Sequence, residues 1–231
     1  MSSDKSSNIF KTLLKKYFID ALGAMALGLF SSLILGLILS QIAKIPGLDF
    51  LTQISDVAKS ETVVGAAIGV AISWGMKSKA MVVFSSAIVG AVGYVAGGPV
   101  GAYLAAVVGS EIGGLIADKT KIDIVLTPLV TTLSGGIIGI LAGPYISAFM
   151  TYLGNLINTM TELNPIPMGI LISITVGLAL TAPISSAAIC ISIGLSGTAA
   201  GAAAVGCCCQ MIGFAVASFR DNGWGGLISQ G

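Results

Sequence analysis

Charged residues are scarce in this sequence of 231 residues. Only 9% of the side chains belong to Asp, Glu, Lys or Arg, whereas 55% are hydrophobic and the mean hydropathy is +0.98. A water-soluble domain carries roughly 25% charged residues, because it must present a polar surface to water. This shortage excludes an ordinary soluble domain and predicts that lipid surrounds most of the chain. With a net charge of +1 and no basic patch, we expect no nucleic-acid partner.

Histidine is absent from the sequence altogether. The chain therefore lacks the commonest general base, and without a Cys-x-x-Cys pair it also lacks a zinc ligand set. No phosphate-binding glycine loop, dinucleotide fingerprint or nucleophile elbow is present. We predict no catalytic residue, no metal and no cofactor, and we interpret Cys190, Cys207, Cys208 and Cys209 as small apolar packing residues.

Aromatic residues are also few, at 6%, whereas glycine is abundant, with 31 residues. Small residues let helix backbones approach closely in lipid, where no hydrophobic force drives helices together. We therefore predict an all-α polytopic bundle of about eight transmembrane helices embedded in the lipid bilayer. The candidate spans are 18–43, 62–76, 80–96, 99–117, 122–143, 167–182, 184–196 and 198–219.

Two segments between these spans have amphipathic periodicity. In 145–163 the apolar residues recur at steps of three and four, while Asn155, Asn158 and Thr159 occupy the other face. A shorter segment of the same kind covers about 48–59. Such helices lie at the membrane interface or line a wet cavity.

The basic residues indicate the orientation of the chain. If the N-terminus is cytoplasmic and all eight spans cross, nine of the eleven Lys and Arg residues fall inside and only Lys44 and Lys59 fall outside. That bias agrees with the positive-inside rule. The nine inside residues are Lys5, Lys11, Lys15, Lys16, Lys77, Lys79, Lys119, Lys121 and Arg220. We therefore predict a multi-pass protein of a cell membrane with its N-terminus in the cytoplasm.

Two parts of the sequence about 100 residues apart resemble each other, and we interpret the likeness as a tandem repeat, with chance similarity of Gly and Ser in apolar runs as the alternative. The stretch DALGAMALGLFSSLILGLIL resembles DIVLTPLVTTLSGGIIGILA, and FSSAIVG resembles ISSAAIC. We assign 1–16 to a basic cytoplasmic segment, 17–119 and 120–220 to two membrane repeats, and 221–231 to the start of a loop. The repeats are parallel if every span crosses, and inverted if one short segment is re-entrant in each.

Proline and glycine interrupt the apolar runs at three places that are candidate solute sites, because broken helices free backbone groups to bind a ligand. GGPVG at 97–101 is better explained as a turn between helices. TAPISS offers the hydroxyls of Thr181, Ser185 and Ser186 and is either a site or a turn. ELNPIPMG places Glu162 and Asn164 at the edge of a span, and a plain loop is the alternative.

Polar residues inside apolar spans are costly, so each is a functional hypothesis by default. Glu111 lies in VVGSEIGGLIAD and either faces a cavity or reaches the interface. Gln210 lies within the last span and needs a partner there. Asp20 and Asp123 sit near helix beginnings, where a negative charge stabilises the helix dipole.

Several long stretches resemble one family together: GGPVGAYLAAVVGSEIG, KIDIVLTPLVT, LTAPISSAAI, GLSGTAAGAAAVGCCCQMIGFA and NGWGGLISQG. They are similar to enzyme IIC, the membrane sugar permease of the bacterial phosphotransferase system, in the divergent branch that includes the perfringolysin O regulator. The resemblance covers the chain from about residue 19 onward. Members of that family look longer, so we expect the chain to be truncated within a re-entrant loop.

The resemblance implies a channel for a sugar or polyol that acts with a separate phosphocysteine enzyme IIB, and it implies a homodimer. Any enzymatic activity would then be a sugar phosphotransfer coupled to transport. A membrane regulator that senses a ligand without net transport is the main alternative. A passive channel or a structural membrane subunit is the third.

Overall fold

The computed structural model describes residue 13 and residues 15–179, 190–191 and 193–230, and these residues form helices and connecting turns without a strand. The helices are α1 (Lys15–Ile42), α2 (Leu51–Lys59), α3 (Glu61–Gly75), α4 (Ala80–Ile116), α5 (Asp123–Leu163), α6 (Pro165–Ala179) and α7 (Gly197–Gln230). Two stretches of α1, Lys15–Ala21 and Phe30–Ile34, are π-helical. The predicted all-helical architecture is confirmed.

Among the described residues, four helical stretches are long and apolar enough to cross a bilayer: α1, α4, α5 and Gly197–Arg220 of α7. A fifth is added if α2 and α3, which meet at an angle of 61°, form one broken span. The shorter apolar helix α6 corresponds to the predicted span 167–182, of which 180–182 fall outside the described residues. Most of the predicted span 184–196 also lies outside them.

The distribution of side-chain sizes is that of a membrane protein. Many buried residues of the first helices are small, such as Ala21, Ala102, Ala105 and Ala106, which are all fully buried. Leu29, Ile68 and Ile72 are buried as well, but many large apolar side chains point outward, and Phe84 is 69% exposed. Water would penalise an exposed apolar surface of this extent, whereas lipid does not.

Two compact units make up the chain, with residues 1–149 in the first and 150–231 in the second. Within the first unit the helices pack through glycines. A Cβ atom on Gly69 of α3 would stand 2.9 Å from the Cα atom of Gly90 in α4 and still closer to the carbonyl oxygen of Ser86. The two backbones are therefore in direct contact, as the predicted packing of small residues requires.

The chain reverses direction inside α4. Gly97 and Gly98 leave the helical region, with φ of +62° at Gly98, so that α4 consists of two helical segments, 80–96 and 99–116. A Cβ atom on Gly93 would stand 2.8 Å from the Cβ atom of Ala105. In a straight helix those positions would be about 18 Å apart. The segments thus pack side by side, and the expected turn at GGPVG is confirmed.

Helix α5 differs from the prediction, because the span 122–143 and the amphipathic segment 145–163 form one continuous helix of 41 residues through Pro144. A proline removes one backbone hydrogen bond and usually ends or kinks a helix in water. Membrane helices tolerate it, since neighbouring groups satisfy the freed carbonyl. Gly143 also packs against the Ala96 backbone, 2.9 Å from its would-be Cβ atom, which supports the helix at this point.

The other amphipathic segment forms the separate helix α2. The hydroxyl of its buried Ser55 donates to the carbonyl oxygen of Gly36 in α1 over 2.9 Å. Ile54 and Val57 remain more than half exposed. Helix α2 therefore lies against α1 on one face and presents apolar side chains on another.

In the second unit α6 and α7 pack against each other. Gly206 of α7 contacts the backbone of Ser173 in α6. A Cβ atom at position 206 would lie 2.9 Å from the Cα atom of Ser173. Ile172, Ala199 and Ala203 form the buried core of this contact. Helix α7 breaks at Gly223, where φ is +59°, a few residues after the predicted end of its span at 219.

Candidate functional site

A polar cleft of about 230 Å³ lies between α5 and the turn that precedes α7. Thr151, Gly154 and Asn155 line it from α5, and Ile191, Ile193 and Gly194 line it from the other side. Two of these side chains, a hydroxyl and an amide, both donate and accept hydrogen bonds. The cleft therefore offers neutral polar groups beside apolar ones.

Asn158, one helical turn beyond Asn155, holds the far wall of the cleft in place. Its amide nitrogen donates to the carbonyl oxygen of Gly194 over 3.3 Å, and its amide oxygen accepts from the backbone N–H of Ser196 over 3.2 Å. Gly194 has a φ of +69°, in the left-handed region that glycine enters without strain. One side chain thus satisfies both a donor and an acceptor of an irregular turn.

The close approach of this turn to α5 depends on Gly154. A Cβ atom at that position would overlap the carbonyl oxygen of Ile193. The turn can therefore lie directly on the helix surface, which places the side chains of Thr151 and Asn155 at the edge of the contact.

The lining suits an uncharged ligand with several hydroxyl groups. No charged side chain is among the described residues that line the cleft. Amide and hydroxyl groups exchange hydrogen bonds with sugar or polyol hydroxyls, and the isoleucines offer an apolar surface to C–H groups. The sequence pattern placed Asn155 and Asn158 on a polar helix face, but nothing in it singled out Thr151 or joined these residues to Gly194.

Gln210 lies in a second cleft of the same unit, of about 360 Å³, between α6 and α7. Ser173, Gly177 and Cys209 also line it. Gly177 leaves room for Gln210, whose Cβ atom would be 3.9 Å from a Cβ atom at position 177. The amide therefore lies beside a groove between the two helices.

Glu162 and Asn164 lie where α5 ends and α6 begins, and both are exposed. Asn164 is the one residue between the two helices, and its backbone N–H donates to the carbonyl oxygen of Met160 over 3.1 Å. Thr181, Ser185 and Ser186 lie outside the described residues. Their role as solute ligands stays a prediction, as does that of Glu162 and Asn164.

Glu111 belongs to the first unit, where its carboxylate forms an ion pair with Lys16. It also accepts a hydrogen bond from the hydroxyl of Tyr17 over 3.2 Å. Tyr103, two turns before Glu111 on α4, donates to the backbone carbonyl oxygen of Tyr17 over 2.8 Å. These contacts join the beginning of α1 to α4, and the carboxylate remains 36% exposed.

The apolar helices, their outward large side chains and their glycine contacts define a multi-pass membrane protein. The family described as "Phosphotransferase system, EIIC" matches residues 19–231. The chain therefore belongs to the EIIC family, the membrane permease component of the phosphotransferase system. Comparison with curated proteins and with solved structures gave no match.

Proposed function

We propose that the protein translocates a sugar or a polyol across the membrane as the EIIC component of a phosphotransferase system. The family match over residues 19–231 supports the transport role. The polar cleft beside α5 supports a neutral solute with several hydroxyl groups, since an amide and a hydroxyl line it and none of its described lining residues is charged. In this proposal a separate enzyme IIB provides the phosphate, and the protein acts as a homodimer. Within the family it belongs to the divergent branch that includes the perfringolysin O regulator.

We also propose that the chain crosses the membrane eight times, as two repeats of about 100 residues. The reversal at Gly97 and Gly98 supports this number, because each segment of α4 then has room to cross separately. Segments of 17 to 18 residues span about 26 Å, close to the hydrocarbon thickness. Helix α6, the segment 184–196 and α7 complete the second repeat in this proposal.

A cytoplasmic N-terminus is part of the same proposal. Lys79 forms an ion pair with Asp118, so the turn after α3 and the turn after α4 lie at one end of the first unit. The carbonyl oxygen of Asp20 in α1 is 3.1 Å from the would-be Cβ atom of Gly75, so the beginning of α1 lies at that end too. Lys16, Lys77 and Lys119 thus share one side, which agrees with the positive-inside rule.

The solute site in this proposal combines the polar cleft with the predicted residues of the second repeat, Thr181, Ser185, Ser186 and Gln210. Glu162, Asn164 and Glu111 are further candidates along the solute path. Thr151 and Asn155 are the two described side chains best suited to bind hydroxyl groups.

A binding screen of the purified protein against sugars and polyols, read by thermal shift, tests the proposal. We expect at least one solute to raise the melting temperature and Asn155→Ala to weaken its binding about tenfold, the loss of one or two hydrogen bonds. Gln53→Ala, an exposed amide on α2, is the matched control and should bind as the wild type does. A Ser185→Ala, Ser186→Ala double variant tests the predicted hydroxyls in the same way.

The outcomes separate the candidate functions. Uptake of the solute by vesicles that contain the protein and a cognate enzyme IIB supports the permease. Binding without uptake under those conditions would instead support a ligand-sensing regulator. Equal binding by the Asn155→Ala variant and the wild type would remove the polar cleft from the solute site.

A further inference from the structure

An open apolar groove of about 590 Å³ runs along the outside of the first unit between α1 and α3. Leu27 and Gly28 line it from α1, and Val63, Ala67, Val70 and Trp74 line it from α3. Leu27 is 59% exposed and Trp74 is 67% exposed, so none of the described residues covers the groove. The hydroxyl of Ser31, which also lines the groove, donates within its own helix to the carbonyl oxygen of Gly28 over 3.1 Å. The surface therefore suits a hydrocarbon chain.

One end of this groove carries two charges of opposite sign. Helix α3 ends at Gly75, beside the backbone of Asp20 in α1, and Lys77 follows two residues later. The Asp20 and Lys77 residues are both exposed. Neither forms an ion pair with another residue in the part of the chain that the structure describes. A carboxylate and an ammonium group are thus available at the end of the groove where Trp74 lies.

The backbone of Lys77 adopts an unfavourable conformation. Its φ is +59°, in the left-handed region. The backbone N–H of Lys77 donates to the carbonyl oxygen of Trp74 over 2.9 Å. The backbone N–H of Ser78 donates to the carbonyl oxygen of Ser73 over 3.0 Å. This pair of bonds is the Schellman ending of a helix, in which glycine is the usual residue at the left-handed position. A lysine there is strained, and it contributes a cation that glycine lacks.

We propose that this groove is a binding site for a phospholipid with an ethanolamine headgroup. One acyl chain lies against Leu27, Val70 and Trp74, the phosphate binds the ammonium group of Lys77, and the lipid ammonium binds the carboxylate of Asp20. Tryptophan is the residue favoured at the level of lipid headgroups. A phosphate and a primary ammonium on one headgroup match the two unpaired charges, and both contacts are charge-assisted hydrogen bonds.

Other occupants fit this end of the groove less well. An anionic glycerol headgroup satisfies Lys77 but places no cation near Asp20. A choline headgroup has a cation without an N–H to donate, so it forms no hydrogen bond with the carboxylate. A second copy of this chain would have to remove both charges from water without a described partner for either, which is unfavourable.

Trp74 provides a direct measurement, because the chain contains only one other tryptophan, Trp224. In a Trp224→Phe background, the full-length protein is placed in nanodiscs that contain increasing fractions of a lipid brominated near the glycerol end of its acyl chains. Bromine quenches tryptophan on contact. We expect brominated phosphatidylethanolamine to half-quench Trp74 at a fraction about fivefold lower than brominated phosphatidylcholine or phosphatidylglycerol, given the modest strength of exposed charge pairs.

Three variants test whether the charges of Lys77 and Asp20 cause the headgroup preference. Lys77→Gln and Asp20→Asn should each remove the preference for the ethanolamine headgroup, while the quenching by bulk lipid persists and shows that the protein is folded in the membrane. Lys119→Gln, another exposed lysine at the same end of the unit, is the matched control and should keep the preference.

Four results would overturn the proposal. Identical quenching by all three lipids would mean that ordinary annular lipid fills the groove, and a preference for phosphatidylglycerol would mean an anion site. If none of the three brominated lipids quenches Trp74, a second copy or another part of the protein covers this residue. Retention of the preference in both Lys77→Gln and Asp20→Asn would remove these two charges from the site.

Discussion

The amide group of Asn158 forms hydrogen bonds with the backbone at Gly194 and at Ser196, and the carbonyl oxygen of Gly194 lies 3.3 Å from the amide nitrogen. Asn158 and Gly194 are 36 positions apart in the sequence. Because the second bond, from the N–H of Ser196, engages the amide oxygen, the side chain has a defined orientation. The shape of the polar cleft therefore depends on a residue that does not itself line it.

Replacing Asn158 by Ala should loosen the turn and weaken solute binding at the cleft. Two hydrogen bonds are lost, each with a net value of about 1 kcal/mol. We expect the melting temperature to fall by a few degrees and the affinity for the solute found in the screen to fall with it. Thr159→Ala, an exposed hydroxyl on the same helix, is the control. Unchanged affinity in Asn158→Ala would mean that the turn plays no part in binding.

Replacing Gly69 by Ala should destabilise the first unit. The added methyl group would overlap the carbonyl oxygen of Ser86 and lie 2.9 Å from the Cα atom of Gly90, so α3 and α4 must separate. Overpacking of this kind costs about 1–3 kcal/mol. Thermal unfolding in detergent measures the effect.

Gly114→Ala is the control for that substitution, because no atom lies within 4 Å of the would-be Cβ atom at position 114. Alanine is also the better helix former, so this variant should unfold at or slightly above the wild-type temperature. Equal melting temperatures for the two variants would contradict the close contact between α3 and α4.

Replacing Lys77 by Gly should stabilise the protein in detergent that contains no phospholipid. Glycine adopts the φ of +59° without strain, whereas an L residue loses about 1–2 kcal/mol in the left-handed region. Lys119→Gly, at an exposed position for which no positive φ is recorded, should bring no such gain. A lower melting temperature for Lys77→Gly than for the wild type would show that the lysine side chain stabilises the fold.

Replacing Glu111 by Gln distinguishes a structural carboxylate from one on the solute path. The variant loses the charge pair with Lys16, which is partly exposed and worth less than about 1 kcal/mol. We expect a small fall in melting temperature and a loss of solute uptake, because the proposal places Glu111 on the solute path. Uptake equal to that of the wild type would remove Glu111 from the path and leave it the structural role of joining α1 to α4.

Local patterns predicted most of the helical architecture. The break at 97–101 follows from residues next to each other, because glycine provides the unusual dihedrals of the turn. The separation of α2 from α3 was predicted by a change from amphipathic to wholly apolar periodicity, which is also local. The sequence pattern divided 122–163 into a span and a separate amphipathic segment, whereas α5 continues through Pro144 as one helix.

The candidate site was only partly predictable. Gln210 and Glu111 were noticed because polar residues are rare in apolar segments, but their partners lie elsewhere in the chain. Thr151 had no such signal, since a hydroxyl within an amphipathic helix is ordinary. Its place in the cleft results from the turn at Gly194, which approaches α5 because Gly154 has no side chain.

The sequence by itself determined that this is an integral membrane protein and that it belongs to a helical transport family. Composition is sufficient for the first, because the cost of exposing apolar surface to water adds up over the whole chain and does not depend on which residues touch. Only the tertiary structure decided which polar groups share a cleft and which charges share the end of a groove. Hydrogen bonds and ion pairs act over a few ångströms, so residues far apart in the sequence become partners only when the packed helices bring them together.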